Sequence, residues 1–350
     1  MTGDASEKDL ATALGMDESI DGVPPSDPAA APSPPEDAHA PAEGGGGRPK
    51  KAEQGKKRPK VPDWGVINTL SEHFFLIYGT DTVFDSINSK IMKVSALRLA
   101  YGNDPVKFWL ASRDRRTVMP EDLMFEPAGV PAGKINLFRG FDVEPVRCDP
   151  ADVLPMLKLL RFLCATSAET DAECEELVHW ILCWMALPLQ RPGAKMATAI
   201  VMHGSQGTGK NLFWDVWRDM FGQYGVTVSQ TEIEDKFNSW MSCKLAIVGD
   251  EVVSRQEMYH NKNRLKLVVT AMKKFPIRAM QQETRWETNH ANVVFLSNES
   301  MPLALEKGDR RYLVVYTPLA DDTGLYGEVA TFLENGGIGK WLYYLKGYDL

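Results

Sequence analysis

The chain has 350 residues and 39.0 kDa, 44% of them hydrophobic and 25% charged, with mean hydropathy −0.26, which is ordinary for globular proteins and long enough for about two domains. No apolar run reaches the roughly 18 residues of a membrane span, and residues 1–15 carry acidic side chains without an apolar core, against a secretory signal. Five cysteines without CxxC or Cys/His ligand spacing read as reduced intracellular thiols, and six scattered histidines contain no HExxH, which argues against a His/Cys metal centre.

The net charge of −8 is unevenly spread. Residues 1–47 hold ten Asp/Glu against Lys8 alone, whereas residues 48–60 (RPKKAEQGKKRPK) hold seven Lys/Arg against Glu53. A globally acidic protein still binds nucleic acid through a local basic surface. The stretch 1–60, centred on PPSDPAAAPSPPEDAHAPAEGGGG, cannot bury enough apolar surface to offset its ordering entropy, so a disordered tail is expected. Its basic end is either a solvated linker or a grip for a phosphate backbone.

Residues 61–148 read as a small α+β accessory domain: HFFLIYGT, TVFDS, KIMKV and INLFRGFDVEP are β-type runs, interrupted by a helical SALRLAYG. Arg113, Arg115 and Arg116 beside Trp109 suit either a nucleic-acid contact or a surface turn, and no carboxylate pair marks a polymerase centre. Residues 149–190 read as a helical connector. Val153, Met156, Leu157, Leu160 and Leu163 recur at helical spacing, as do Leu177, Trp180, Ile181, Trp184 and Met185, with Trp180 and Trp184 expected in the core.

The chemistry is concentrated in 191–320. ATAIVMHG is a buried strand that runs directly into GSQGTGKN. Gly204, Gly207 and Gly209 let the backbone of Gly204, Ser205, Gln206, Gly207, Thr208 and Gly209 wrap phosphate oxygens, Lys210 supplies the charge, and Leu212, Phe213, Val216 and Trp217 begin a helix whose N-terminus favours an anion. Strand, glycine loop with lysine, helix is the context of a phosphate-binding loop. One position departs: Asn211 replaces the Ser or Thr that binds Mg²⁺. Its amide oxygen is a weaker and larger metal ligand.

KLAIVGDE follows as a strand ending in Asp250 and Glu251, acidic residues at the edge where parallel sheets bind ligands. Asp250 is placed to hold Mg²⁺ through water and Glu251 to polarise the attacking water. ANVVFLSNE is another buried strand, with Asn298 at its end to orient water or touch the γ-phosphate. EKGDRRYLVVY puts Arg310 and Arg311 just before a strand over Tyr312–Tyr316, and one of the two suits an intramolecular pair with Asp309.

The order GSQGTGKN, KLAIVGDE, helix plus hairpin, VVFLSN and GDRRYL resembles a superfamily 3 helicase of the AAA+ class, and more narrowly the helicase module of phage and plasmid primase-helicase proteins. The likeness covers about 175–320 well and 64–150 loosely. It implies a P-loop AAA+ parallel sheet flanked by helices, an ATP hydrolase with Mg²⁺ as cofactor, and a hexameric ring that moves on single-stranded DNA with ATP bound between subunits. By that resemblance Lys210, Asp250, Glu251 and Asn298 are the cis motifs. Arg310 or Arg311, with Arg311 favoured, reaches the neighbour's nucleotide, where a trans-acting arginine is worth ~10³ to 10⁵ in rate.

A pore hairpin is expected between the second and third elements: a helix over Arg264–Lys274, then FPIRAMQQ and ETRWETN. Lys273, Lys274, Arg285 and Trp286 are its DNA-contact candidates, although Gln281 and Gln282 stand where a lysine is expected and Trp286 suits the core equally well. The resemblance implies a role in phage or plasmid-type DNA replication, in the cytoplasm (the host's, if phage-encoded), with a primase or polymerase as partner and no membrane. With no primase centre in view, a stand-alone helicase component is expected. Residues 321–350 read as a helical segment leading into a further part. A nucleotide-dependent DNA-binding or assembly ATPase without unwinding is the alternative. A small-molecule kinase fits less well, because adjacent Asp250 and Glu251 and the Arg310–Arg311 pair suit hydrolysis across a subunit interface.

Overall fold

A computed structural model gives the fold of residues 63–251, 268–270, 274–280, 284–299, 308–320 and 324–350. The acidic and basic stretches before residue 61 fall outside them. The chain divides into a small unit, which includes 63–75 and 81–116, and a larger one, which includes 76–80 and everything from Thr117.

The small unit opens with α1 (Trp64–His73), a helix that the β-rich reading of this region did not anticipate. Asp63 caps it by accepting the Val66 amide at 3.3 Å. Strands β1 (Phe74–Ile77), β2 (Thr82–Asp85), β3 (Lys90–Lys93) and β4 (Arg116–Val118) form a sheet of order β3-β2-β1-β4, the unit boundary cutting β1 and β4. Helices α2 (Val94–Tyr101) and α3 (Asn103–Ala111) follow β3, joined through Gly102 at φ +88°. Trp109 is fully buried, Arg115 donates to the Leu110 carbonyl, and Arg116 lies over the Phe75 ring at 5.3 Å and donates to the Glu72 carbonyl. Trp109, Arg115 and Arg116 are thus engaged within the unit, whereas Arg113 lies exposed in the turn before β4.

In the larger unit, residues 119–148 make a turn of 3-10 helix at Pro120–Asp122 and the short parallel pair β5 (Leu123–Met124) and β6 (Ile135–Asn136), not a longer strand through INLFRGFDVEP. Aromatic packing holds this segment: Phe125 and Phe138 lie 5.5 and 5.0 Å from Tyr224, and Phe141 lies 5.6 Å from Phe221. Such contacts leave no periodic trace in the sequence.

Helices α4 (Leu154–Cys164) and α5 (Asp171–Gln190) precede the sheet. Along α5 Trp184 is buried, whereas Trp180 is 39% exposed. The buried tryptophan meets Trp214 and Trp217 of α6 (Lys210–Asp219) at 6.1 and 5.2 Å, pinning the helix after the glycine loop.

Five parallel strands form the core: β7 (Ala199–Gly204), β8 (Gly225–Ser229), β9 (Ala246–Asp250), β12 (Asn292–Ser297) and β13 (Tyr312–Thr317), in the order β13-β7-β12-β9-β8. Every residue of β7 and β12 is buried, as continuous apolar runs in a two-faced sheet require. The short helix α7 (Gln230–Glu234) follows β8. Between β9 and β12, the antiparallel hairpin β10 (Lys274–Ile277) and β11 (Arg285–Thr288) lays Phe275 and Ile277 into the core. Helices α8 (Leu325–Glu334) and α9 (Gly337–Lys346) complete the unit, α9 packing on α5, where Gln190 donates to the Leu345 and Tyr348 carbonyls. No helix among the described residues is long and apolar enough to cross a membrane.

Asn292, fully buried at the start of β12, ties down the lead-in to β7: its side chain accepts from the Met196 amide and donates to the Ala194 carbonyl, both at 2.9 Å. Asn292→Leu strands both groups and is expected to lower stability by about 1–3 kcal/mol, read as a lower denaturant midpoint at constant slope.

Candidate functional site

Parallel register brings the ends of four strands to one edge. Thr317 of β13 stands opposite Gly204 of β7, Ser297 of β12 opposite His203, and β9 ends alongside at Asp250. Since β7 leads out to the far edge strand β8 and the chain returns through β9 and β12 before β13 adds on β7's other side, the sheet reverses direction at β7. That is where open α/β sheets bind ligands.

The loop after β7 is built for close approach. Gly204 sits at φ +141°, and a side chain there would collide with the Thr317 hydroxyl and meet its carbonyl oxygen at 2.8 Å. Gly207 and Gly209 hold φ of +80° and +82°, the left-handed region that glycine enters without penalty. Gly209 caps α6 with no side chain, so the first-turn amides of that helix have no intrahelical acceptor and form a potential anion cradle. Ser205 is half-buried, Gln206 is exposed, and Thr208 is fully buried with a hydroxyl that finds no partner.

Lys210 is 3% exposed. Its ammonium donates to the carbonyls of Gly204 (3.3 Å) and Ser205 (3.0 Å) and to Asn298 Oδ1 (2.6 Å). Burial pulls its pKa below the ordinary lysine value, while the negative charge of Asp250 pushes it back up. Next to it, Asn211 donates its amide to Asp250 Oδ1 at 2.7 Å, leaving the Asn211 carbonyl oxygen and Asp250 Oδ2 without a hydrogen-bond partner among the described residues. Thus Lys210, Asn211, Asp250 and Asn298, separated by up to 88 residues, converge.

Glu251 is exposed, and its backbone amide donates to Asp250 Oδ1 at 3.0 Å. It adopts φ +52°, left-handed backbone that is unusual for a non-glycine residue. Strain of this kind collects at functional positions.

His203, which the sequence reading passed over, is 8% exposed and packs on Tyr316 at 5.2 Å. Its Nδ1–H donates to the Glu299 carbonyl at 3.2 Å, holding the turn that carries Asn298. Desolvation lowers its pKa, and the Lys210 charge lowers it further. Nothing in the sequence distinguishes this histidine from a core filler.

The two arginines differ. Arg311 is gripped by Asp309 through Nε (2.7 Å) and a terminal nitrogen (2.8 Å). Arg310 is exposed, with no ion pair among the described residues.

The four hairpin candidates also separate. Arg285 faces inward and is paired with Glu287, which itself is 8% exposed. Trp286, 49% exposed, points the other way and shares the outer face with exposed Lys274, which lies on β10 rather than at a helix end. Lys273 and most of the expected helix over 264–274 lie outside the described residues; 268–270 are helical.

A model of a family of unknown function, DUF5906, matches residues 202–311, a stretch that holds the glycine loop, Lys210, Asn211, Asp250, Glu251, Asn298 and both arginines but not Thr317. The chain is 27% identical over 184 residues to the DNA primase-polymerase of Nitratiruptor phage NrS-1, covering 52% of this chain and 24% of that protein. It therefore spans about a quarter of the length of that curated relative. Among solved structures, the apo NrS-1 C-terminal region matches with a TM-score of 0.64 at 22% identity, covering 83% of this chain and 70% of that one. A second form of the same region gives 0.60, with 79% and 66% covered. The chain has the fold of that region.

The left-handed backbone of Glu251 carries a measurable consequence. Glu251→Gly is expected to raise stability by about 1 kcal/mol and Glu251→Val to lower it by at least as much. Thermal denaturation of the two variants checks this, and equal or reversed midpoints would contradict the strained geometry.

Proposed function

We propose that this protein is an ATP-driven DNA motor: a P-loop ATPase of the AAA+ type that acts as a superfamily 3-like helicase in phage or plasmid-type DNA replication, hydrolysing ATP between subunits of a ring. The observation that carries the reading is the meeting of Lys210, Asn211, Asp250 and Asn298 beyond a glycine loop at the switch point of a parallel sheet. Similarity to a phage primase-polymerase supports placing the activity in replication.

The residues present fit a magnesium–triphosphate ligand. The loop glycines and the amides at the start of α6 take phosphate oxygens, and Lys210 exchanges its carbonyl and Asn298 acceptors for the β- and γ-phosphates. Asp250, through Oδ2, and Asn211, through its amide oxygen, would hold Mg²⁺, which when bound neutralises charge on the phosphates. One carboxylate plus substrate phosphates is a normal magnesium environment. Glu251, exposed beside Asp250, orients the attacking water and draws off its proton, while Asn298, released by Lys210, hydrogen-bonds the γ-phosphate or that water.

Because Arg311 is committed to Asp309, Arg310 is the residue we assign to the neighbouring subunit's nucleotide, reversing the preference drawn from sequence. Lys274 and Trp286, sharing the outer face of the hairpin, are the DNA contacts; base stacking on an exposed tryptophan is worth ~1–3 kcal/mol per base. Arg285 supports the hairpin from within. Asn211 favours a second reading, a nucleotide-gated DNA-binding assembly with little turnover, since its amide already occupies one Asp250 oxygen.

Purified protein is expected to hydrolyse ATP with Mg²⁺ faster in the presence of single-stranded DNA, and Lys210→Ala to abolish hydrolysis. Nucleotide-dependent DNA binding without turnover would favour the second reading, and absence of both would overturn the proposal. Arg310→Ala subunits, inactive alone, are expected to regain ATPase activity when mixed with Lys210→Ala subunits, whereas Arg311→Ala is expected to lower stability. Mixed rings that assemble yet stay inactive would remove Arg310 from the shared site.

A further inference from the structure

The hairpin is gripped at its base from both sides. From within, Glu287 accepts from Ser242 Oγ (2.8 Å), the Cys243 amide (2.9 Å) and Arg285 Nε (2.7 Å). From without, the grip comes from Glu126, 162 residues before Thr288 and in irregular chain between β5 and β6. Oε1 of Glu126 accepts from Thr288 Oγ1 at 2.6 Å, and Oε2 lies 2.9 Å from His290 Nε2. Asn136 fixes Glu126 itself, accepting its amide at 3.2 Å and donating to its carbonyl at 2.8 Å. The other ring nitrogen of His290 meets the Gly193 carbonyl at 3.0 Å, and Phe125 packs against the ring at 6.0 Å.

Thr288 is the last residue of β11, and His290 stands two residues before β12. From there β12 runs, wholly buried, to Ser297, immediately before the Asn298 that binds Lys210. The Glu126 carboxylate therefore holds the near end of a rigid strand whose far end is in the nucleotide site. A hairpin hinged loosely at Thr288 would dissipate a displacement of its tip; one clamped there passes it along the strand.

We propose that Glu126 is a positioning residue that clamps the hairpin base and couples nucleotide turnover to single-stranded DNA bound at the hairpin. The coupling rests on the reading of the hairpin as the DNA-contacting element. The clamp itself does not.

Two measurements on the full chain decide it: amide hydrogen exchange over 274–277 and 285–288, and ATPase rate with and without oligothymidylate. In Glu126→Ala, hairpin amides are expected to lose about tenfold in protection while β7 and β9 keep theirs. Basal ATPase should stay within about twofold while DNA stimulation falls about tenfold, in the ordinary range of coupling between sites. Glu126→Gln is expected to behave as wild type, because its amide can accept from Thr288 and donate to an unprotonated His290 Nε2. Should Glu126→Ala not fold, Thr288→Val, which removes one hydroxyl and little volume, takes its place with the same expected losses. Unchanged hairpin protection overturns the clamp, and full DNA stimulation in a variant whose hairpin has loosened overturns the coupling. A wild-type protein that hydrolyses no ATP overturns the motor reading and the coupling with it, while the exchange measurement still decides the clamp.

Discussion

The arrangement at the sheet's edge depends on one buried cation. Lys210 lies almost wholly out of solvent, where an ammonium without partners is strongly disfavoured. Three oxygens compensate: two loop carbonyls and Asn298. To turn the carbonyls of Gly204 and Ser205 toward the lysine, the loop must follow a path open only to glycine at several points, one of which also brings it against Thr317 of β13. Asn298 in turn must stand at the end of the strand hydrogen-bonded beside β7, which fixes the strand order. The loop's shape, the neighbour choice of β7 and the burial of its helix are thus aspects of a single requirement.

The same requirement ties the polar groups of the site to one another. Two of them are paired internally: Lys210 with loop carbonyls and Asn298, and Asp250 Oδ1 with the Asn211 amide. If the proposed function holds, a triphosphate with its metal would displace these contacts, so binding would exchange hydrogen bonds rather than add them, with a modest net gain per bond. Asn211 bears on this balance most directly. A hydroxyl at that position would bind Asp250 less firmly in the absence of ligand and present a smaller donor to the metal in its presence.

How much of this was legible in the sequence varies by element. Continuous apolar runs located β7, β9 and β12 to within a few residues, because strands buried on both faces need no alternation to be recognised, while β13, an edge strand with Val314 and Tyr316 exposed, was legible as the run after the two arginines. Glycine spacing marked the loop, since left-handed backbone narrows the choice of residue. Pairwise commitments were not legible: Arg310 and Arg311 are neighbours of identical chemistry, and only the position of Asp309 separates the tethered one from the one without an ion pair among the described residues. Trp180 was misread for a similar reason, as helical spacing identifies a face without saying how wide its contact is. In residues 119–148 much of the order comes from Phe125, Phe138 and Phe141 meeting aromatic rings 80 or more residues away, contacts that leave no periodic spacing in the sequence.

Strand alternation resolves the hairpin in the same manner. Successive side chains of β11 point to opposite faces, so a single register decides that Arg285 and Glu287 are internal and Trp286 external. An inward carboxylate at Glu287 is tolerated only because three donors meet it, and its arginine partner is thereby removed from any outward role. The outward face retains an aromatic and a lysine, and its base retains a threonine held by Glu126 from the irregular segment. Seen this way, the two carboxylates do complementary work on opposite faces of one short ribbon that would be marginal by itself. What they hold still is the entry to β12, the strand that this ribbon and the lysine loop have in common.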